Sequence, residues 1–278
     1  MKLSVFHHHL LMMAKEENIS PQEAYRRAAA MGISAVDVNL EELIADPALP
    51  TLIKEAGLGF SSIHAYYKFS ERDESERIKL HMETAVAIGA PCVMVIPDFY
   101  PEGEIPADII LDPTAVARFF DASSLMATVL DGMREAVRVG KENGIRVTVE
   151  DYDHRDSPTA TSAEIRYLLE RVEGLFVTFD TGNFIFSDED IEEALSVLAD
   201  RTVNLHLKDR GEDATHTGKH LRGLAPVAVG DGYLAIAPIL SALRDRGYRG
   251  FLTVEHFGVP CYREAIERSV GFLSNFLS

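Results

Sequence analysis

Four short apolar segments of this chain each end in a residue of a type that binds metal ions. The segments are rich in β-branched and aromatic residues, as buried strands are. They read Val-Thr-Val-Glu150, Phe-Val-Thr-Phe-Asp180, Thr-Val-Asn-Leu-His206 and Phe-Leu-Thr-Val-Glu255. Barrels of parallel strands build their functional sites from side chains at the C-terminal ends of several strands. The repetition therefore predicts a barrel in which these four side chains surround one metal ion.

The rest of the chain alternates between strand and helix patterns. Eight strands are predicted, centred on Val5, Val38, Ser62, Val95, Val149, Thr178, Asn204 and Thr253. The helical segments between them end at glycines, which close the last turn in the left-handed conformation, namely Gly32, Gly57, Gly89, Gly144, Gly174 and Gly247. Capping boxes that begin at Ser20 and Thr161 mark two helix starts.

This alternation predicts an α/β fold in which residues 1–278 form a single (β/α)8 TIM barrel domain. A doubly wound open sheet is the alternative. Against it, no Gly-x-Gly-x-x-Gly follows the first strand, where His7, His8 and His9 stand instead. We expect these histidines to continue the strand, with His7 and His9 on one face, His8 on the other, and one of them facing the pocket.

Composition excludes several classes of protein. The 278 residues suit one barrel, and the net charge of −17 argues against a nucleic-acid partner, because phosphate binding needs a basic patch. Membrane insertion is not expected, since no apolar run approaches 20 residues or so. The polar N-terminus is unlike a signal peptide, so a cytoplasmic protein is expected. Cys92 and Cys261 form no metal-binding pair, and the outer helices could support a homo-oligomer.

Two connections that follow strands are long, at residues 97–113 and 209–232. Long loops in a compact domain are commonly lids or substrate-binding loops. In the second loop, the turn Gly230-Asp231-Gly232 could hold a phosphate through its backbone amides, or could be only a tight turn before the next helix.

The four strand-end residues supply three carboxylates and one imidazole. This set predicts one divalent ion, with Mn²⁺ expected first and Mg²⁺, Co²⁺ or Zn²⁺ as alternatives. An octahedral ion would keep two positions for the oxygens of a hydroxy-ketone and would stabilise an enediolate. Glu150 and Glu255 lie on strands across the barrel, so one could remove a proton that the other returns. Isomerisation, epimerisation and β-elimination of water all fit this layout.

Five motifs carry a resemblance to a known family. They are Val-Glu150-Asp, Phe-Asp180-Thr-Gly-Asn183, Leu-His206-Leu-Lys208-Asp209, Val-Gly230-Asp231-Gly232 and Gly250-Phe-Leu-Thr-Val-Glu255. Together they resemble the xylose isomerase-like barrel superfamily, which includes sugar isomerases and epimerases, inosose dehydratases and abasic-site nucleases. The resemblance implies a metal held by Glu150, Asp180, His206 and Glu255. In the ketose 3-epimerase branch it also implies that Glu150 and Glu255 are the acid and base.

Two departures separate the chain from the nucleases of that superfamily. Asn183 stands where their motif has a ligand histidine, and the fourth strand ends in Ile-Pro97-Asp98 rather than in a histidine. The Leu-His-Leu-Lys-Asp motif is similar to that of the inosose dehydratases, but it is too short to identify a reaction.

Four residues are candidates for binding substrate. His64 ends the third strand and could contact substrate oxygens or be a rim histidine satisfied by its neighbours. Lys208 shares a strand face with His206 and could bind an anion or transfer a proton. Asn183 could orient a ligand or only shape a turn. The substrate-binding arginine of the epimerases could correspond to Arg210 or Arg222, and Arg222 is the candidate retained.

The resulting hypothesis is a metal-dependent isomerase or epimerase that acts on a small ketose, polyol or related hydroxy-ketone. Glu150 and Glu255 would exchange protons through an enediolate. The alternatives are a dehydratase that uses the same site and a sugar-binding protein that has lost catalysis.

Overall fold

The computed structural model describes residues 1–277, which form a closed barrel of eight parallel strands. The barrel strands are β1 (Lys2–Phe6), β2 (Ile33–Asn39), β3 (Gly59–Tyr66), β4 (Cys92–Ile96), β5 (Arg146–Glu150), β6 (Phe176–Asp180), β7 (Thr202–Leu207) and β10 (Phe251–Val254). Each pairs with its neighbours in chain order, and β10 closes the barrel against β1. The predicted TIM barrel is confirmed, and the open-sheet alternative is wrong.

Eleven α-helices are found in the described part of the chain. They are α1 (His7–Glu17), α2 (Pro21–Ala30), α3 (Leu40–Ala45), α4 (Leu49–Glu55), α5 (Ser75–Ile88), α6 (Pro113–Asp121), α7 (Ser124–Asn143), α8 (Ser162–Arg171), α9 (Ile191–Leu198), α10 (Ile236–Asp245) and α11 (Tyr262–Leu273). Within residues 1–277, none of these helices has both the length and the apolar character needed to cross a bilayer.

Local signals in the sequence account for the helix boundaries. The Ser20 side chain accepts a hydrogen bond from the Glu23 amide, and Thr161 and Glu164 form a reciprocal capping box. All six predicted glycines have a positive φ, between 70° and 92°. Because L-residues with a side chain rarely adopt that conformation, glycine stops each helix and turns the chain toward the next strand.

A layer of polar side chains fills the barrel just below the predicted ligands. Alternation along a strand places residues two positions apart on the same face. Thr148, Thr178, Asn204 and Thr253 therefore lie beneath Glu150, Asp180, His206 and Glu255, and all four are at most 1% exposed. The hydroxyl oxygens of Thr148 and Thr178 lie 2.8 Å apart. Asn204 also donates to Thr178 Oγ1, at 3.4 Å, so a partly hydrogen-bonded polar layer lies beneath the predicted ligands.

Two segments differ from the sequence-based prediction. The strand β1 stops at Phe6, and His7–His9 form the first turn of α1 instead of extending the strand. The long second loop contains an antiparallel hairpin of β8 (Asp209–Gly211) and β9 (Ala225–Val227). Both differences arise where three or fewer residues carry the pattern, too few to distinguish a strand from a helix turn or a loop.

Gly140 allows α7 to lie close to β5. A Cβ atom at Gly140 would lie 2.7 Å from Val147 Cγ2 and 2.8 Å from the carbonyl oxygen of Ile145, so the backbone would have to move. We expect Gly140→Ala to lower the free energy of unfolding by about 1–3 kcal/mol, measured by urea denaturation.

Gly271→Ala is the matched control, because a Cβ at this helical glycine meets no atom of residues 1–277 within 4 Å. It should be neutral or stabilising by up to ~1 kcal/mol through helix propensity. Equal effects of the two substitutions would contradict the packing explanation.

Candidate functional site

The strands bring the four predicted ligands together at the C-terminal mouth of the barrel. Glu150 and Asp180 end β5 and β6, His206 is the penultimate residue of β7, and Glu255 directly follows β10. One potential ligand atom from each residue lies within 4.8 Å of the others. All four side chains are buried, with exposures between 0% and 6%.

The His206 ring joins the cluster to a carboxylate on another barrel strand, β2. Its Nδ1 atom forms a short contact with Glu150 Oε1 and lies 3.2 Å from Glu255 Oε2. Its Nε2 atom lies 3.0 Å from Oδ2 of Asp37, in the middle of β2. The Nδ1 atom therefore faces the other predicted ligands, while Nε2, on the opposite side of the ring, contacts Asp37.

Lys208 provides the second positive group of the cluster. It is 7% exposed, and its Nζ atom lies 2.7 Å from Glu255 Oε1 and 3.4 Å from Asp180 Oδ2. The ammonium also donates to Asn183 Oδ1 at 2.9 Å. Asn183 in turn donates to the Asp151 carbonyl at 2.7 Å. Asn183 thus fixes the position of Lys208 against the two carboxylates.

Burial and these contacts separate the acidities of the carboxylates. Burial raises the pKa of Glu150, and it raises the pKa of Asp180 to about 7. Burial alone would also raise the pKa of Glu255, but the adjacent ammonium of Lys208 and the ring of His206 lower it below its usual range. Glu255 is therefore held as an anion, while Glu150 binds a proton more readily.

The cluster has the donor set and the free lone pairs of a divalent cation site. Among the described residues, Asp180 Oδ2 and Glu255 Oε2 are buried acceptors whose contacts, with Lys208 Nζ at 3.4 Å and His206 Nδ1 at 3.2 Å, lack hydrogen-bond geometry. Buried acceptors of this kind are costly unless a proton or a cation satisfies them. Three carboxylates and one imidazole with open acceptor oxygens fit a divalent ion.

Several side chains hold the ends of the ligand-bearing strands in place. The Asp180 amide donates to Asp151 Oδ1 at 2.8 Å, and the Lys208 amide lies 3.1 Å from Thr181 Oγ1. The His256 amide, next to Glu255 in the chain, donates to His9 Nε2 at 2.9 Å. These bonds fix the backbone at three of the four strand ends, which limits the freedom of the ligands.

The predicted substrate-binding residues lie at different distances from the cluster. His64 Nδ1 lies 2.8 Å from Asp37 Oδ1, so Asp37 links His64 to the cluster. His64 remains partly exposed at the mouth. Asn183 and Lys208 lie within the site. Arg222 is 54% exposed on the long loop, where its side chain contacts Glu212 and the Tyr233 carbonyl. Arg210 is buried and donates to the Gly182 carbonyl.

The three histidines near the N-terminus each lie beside a defined partner. His7 lies 2.7 Å from the Tyr25 hydroxyl, His9 holds the His256 amide, and His8 is exposed beside Phe257. The expectation that they extend β1 with alternating faces is wrong, because they form a helix turn.

Asp37 is the residue of this site that the sequence analysis missed. It is completely buried and contacts both His206 and His64. One signal was available, since a carboxylate between Val36 and Val38 interrupts an apolar strand. A charged residue at the centre of a buried strand needs a specific partner.

The Gly230-Asp231-Gly232 turn does not offer its amides to a ligand. Asp209 Oδ2 accepts hydrogen bonds from the amides of Gly230 at 2.9 Å and Gly232 at 3.0 Å. The tight-turn alternative is therefore correct, and the side chain of Asp209 is what shapes it.

Aromatic side chains line part of the barrel mouth. The hydroxyls of Tyr66 and Tyr152 lie 2.6 Å apart, which joins the ends of β3 and β5 above β4. Phe99 packs edge-on against Tyr152, and Phe257 lies 47% exposed on the β10 side. These rings place apolar surface beside the charged cluster, as ligand pockets commonly do.

Residues 25–276 match the family model for the xylose isomerase-like TIM barrel, and the chain belongs to this family. Inosose dehydratase of Clostridium perfringens is 27% identical over 153 residues, or 51% of this chain and 51% of that protein. The chain thus spans about half the length of the curated relatives it matches.

Solved structures share the whole architecture at low sequence identity. The IolI protein with a bound zinc atom has a TM-score of 0.70 at 17% identity, over 100% of this chain and 98% of that one. The 3-keto-D-glucoside 4-epimerase YcjR from E. coli, in its apo form, has a TM-score of 0.67 at 18% identity, over 91% of this chain and 94% of that one. At these identities the similarity concerns the fold alone.

The structure predicts that Lys208 keeps the metal-free site stable. Lys208→Met would leave Asp180 and Glu255 buried without the ammonium. We expect the metal-free variant to lose about 3–5 kcal/mol of unfolding free energy, measured by urea denaturation in EDTA. Added Zn²⁺ should recover more stability in this variant than in the wild type, because the ion supplies the missing charge.

Lys68→Met is the control, because within residues 1–277 the ammonium of Lys68 makes a single ion pair, a largely exposed one with Glu71 at 3.6 Å. It should change stability by less than about 1 kcal/mol. If Lys208→Met were as stable as this control in EDTA, Lys208 would not be the group that balances the carboxylates.

Proposed function

We propose that this protein is a divalent-metal-dependent enzyme that modifies a sugar or polyol. The observation that carries the proposal is the convergence of Glu150, Asp180, His206 and Glu255 within 4.8 Å at the barrel mouth. Membership of the xylose isomerase-like family supports it. The non-catalytic alternative would have no need for several buried carboxylates with unsatisfied oxygens.

The ion would be held by these four residues. Mn²⁺, Mg²⁺, Co²⁺ and Zn²⁺ all accept such ligands, and the structural neighbour with zinc keeps that ion among the candidates. When bound, a divalent ion supplies Lewis-acid stabilisation of the negative charge that develops on the oxygens of a hydroxy-ketone.

The reaction that we propose first is the elimination of water from a cyclic keto-polyol such as an inosose. The relatives named inosose dehydratase point to this reaction. The position of Lys208 supports it independently. Elimination needs a proton donor for the leaving hydroxyl, and the Lys208 ammonium lies at the cluster with Asn183 holding it in place.

The proton balance assigns a role to each group. Glu150 accepts the proton from the carbon next to the carbonyl, and the electron pair of that C–H bond forms the new carbon–carbon double bond. The β-hydroxyl leaves with a proton from Lys208, so that one molecule of water is released. Glu255 accepts a hydrogen bond from Lys208 at 2.7 Å and holds that donor in place. Proton exchange between solvent, Lys208 and Glu150 returns both groups to their starting states.

Epimerisation or isomerisation of a ketose is the second candidate. Glu150 and Glu255 both approach His206 Nδ1, so two carboxylates are available to remove and return a proton. The ion pair with Lys208 lowers the pKa of Glu255, but it also raises the pKa of Lys208, so these acidities do not separate the two candidates. Dehydration is placed first because of the names of the relatives and the position of Lys208 at the cluster. We propose His64 as the substrate contact at the mouth. Arg222 would contact substrate only if the long loop that carries it closed over the mouth.

The partner that we propose is therefore a small molecule. The net charge of −17 and the presence of Asn183 instead of a further ligand histidine do not favour a nuclease. A cytoplasmic location and a homo-oligomer formed through the outer helices are kept as predictions.

Glu150→Gln should abolish turnover, with a fall of at least about a hundredfold, because the amide cannot accept the proton. The assay incubates the metal-loaded enzyme with an inosose and follows product by mass spectrometry. Wild-type product lighter by one water molecule supports a dehydratase, whereas a product of unchanged mass supports an epimerase.

Glu135→Gln is the matched control, since among the residues that the structure describes Glu135 pairs only with Arg138, on the surface of α7. It should keep full activity. Near-normal turnover by Glu150→Gln would remove Glu150 from its role as the base.

A further inference from the structure

The Asp37 carboxylate lies between two imidazoles that belong to different parts of the site. Its Oδ2 atom lies 3.0 Å from Nε2 of His206, inside the metal-ligand cluster. Its Oδ1 atom lies 2.8 Å from Nδ1 of His64, at the barrel mouth. Asp37 and His206 are fully buried, while 14% of the His64 side chain is exposed.

An ionised carboxylate only accepts hydrogen bonds, so each nitrogen that contacts Asp37 must carry a proton. For His206 this leaves Nδ1 as the nitrogen that faces Glu150 and Glu255. For neutral His64 it leaves Nε2 as a bare acceptor. The His64 Nε2 atom has no hydrogen-bond partner among the described residues. It can therefore accept a hydrogen bond from a hydroxyl of a bound molecule.

We propose that Asp37 is a positioning residue that sets both tautomers at once, with His206 Nδ1 directed to the metal and His64 Nε2 directed to a substrate hydroxyl. The inference rests on the proposed metal-dependent function of the same cluster. Ligand histidines commonly donate their second nitrogen to a carboxylate in this way, and that bond raises their affinity for metal. Here one carboxylate links the metal ligand to the substrate contact.

A purely structural role does not account for Asp37. Its side chain is completely buried, and burying a carboxylate is costly unless it is paired and hydrogen-bonded. Within residues 1–277, Asp37 pairs with no lysine or arginine, only with His64 and His206. Because both partners are imidazoles at the site, the cost of burying the charge is offset only there.

The first measurement is the tautomer of His64 and the state of His206, read from long-range ¹H–¹⁵N spectra of the histidine rings. His64→Asn and His206→Asn assign the signals. In the wild type we expect His64 to carry its proton on Nδ1, and zinc-loaded His206 to carry its proton on Nε2. Asp37→Ala should move His64 toward the Nε2–H form, which free imidazole side chains favour.

Asp37→Asn is the isosteric variant, and it tests whether both imidazoles depend on one group. The amide has one acceptor oxygen in place of two, so it can accept the N–H of only one of the two rings. It presents its own N–H to the other ring, which must then offer a nitrogen without a proton. At least one change must then follow, either a shift of the His64 tautomer or a weaker affinity for Zn²⁺. Unchanged tautomers and unchanged affinity in a folded Asp37→Asn protein would overturn the proposal.

The second measurement is the affinity of the purified chain for Zn²⁺ alone, by titration calorimetry. We expect Asp37→Ala to bind zinc about 10- to 100-fold more weakly than wild type. His64→Asn should bind zinc normally and raise KM for the keto-polyol with a smaller effect on kcat. A normal zinc affinity in Asp37→Ala would contradict the role of Asp37 in orienting His206.

Asp98→Asn is the control for loss of a buried carboxylate at the mouth. Asp98 is 3% exposed and bonds to Ser70 rather than to the cluster, so zinc affinity should be unchanged. Wild-type protein that binds no zinc and turns over no polyol would count against the proposed function. Wild-type protein that binds zinc equally well with and without Asp37 would count against this inference alone.

Discussion

The structure of this site depends on the balance of charge inside the barrel mouth. Around His206 lie four carboxylates, on Asp37, Glu150, Asp180 and Glu255, which are buried at exposures of 6% or less. Unpaired buried charges are among the most unfavourable features a fold can contain. His206 and Lys208 compensate them in the protein alone, and the open oxygens of Asp180 and Glu255 leave room for a divalent ion to contribute. The apolar barrel and its helices hold this polar centre in place.

The same balance makes the two glutamates unequal. Glu150 and Glu255 are related by their positions at strand ends, which is why the sequence suggests a symmetric acid/base pair. The 2.7 Å contact of Lys208 with Glu255 breaks that symmetry, because it stabilises one carboxylate as an anion and places a proton donor beside it. Asp37 extends the network from His206 to His64, and so from the metal ligands to the mouth.

Much of the fold follows from short-range signals. All eight strand centres lie within the observed barrel strands, and the helix-ending glycines have the expected positive φ. The four predicted ligands, which the structure brings together, could be named because each ends an apolar run and because parallel strands share one functional edge. The errors lie where the local signal is short or ambiguous. His7–His9 follow a strand without a break in pattern but form a helix turn, and the hairpin of β8 and β9 has only three residues in each strand.

The sequence by itself determined the barrel, the spacing of its strands and the residues that stand at the strand ends, because alternation and helix caps act over a few residues. Only the tertiary structure decided which other side chains contact the four predicted ligands. Asp37 meets His206 because the barrel closes through β1 and β10, which brings β2 and β7 together across 169 residues of chain. Lys208 is paired with Glu255, whereas Arg222 remains on an exposed loop, and no local pattern distinguishes the two. Distances between strands are a property of the closed barrel, and a linear sequence carries them only implicitly.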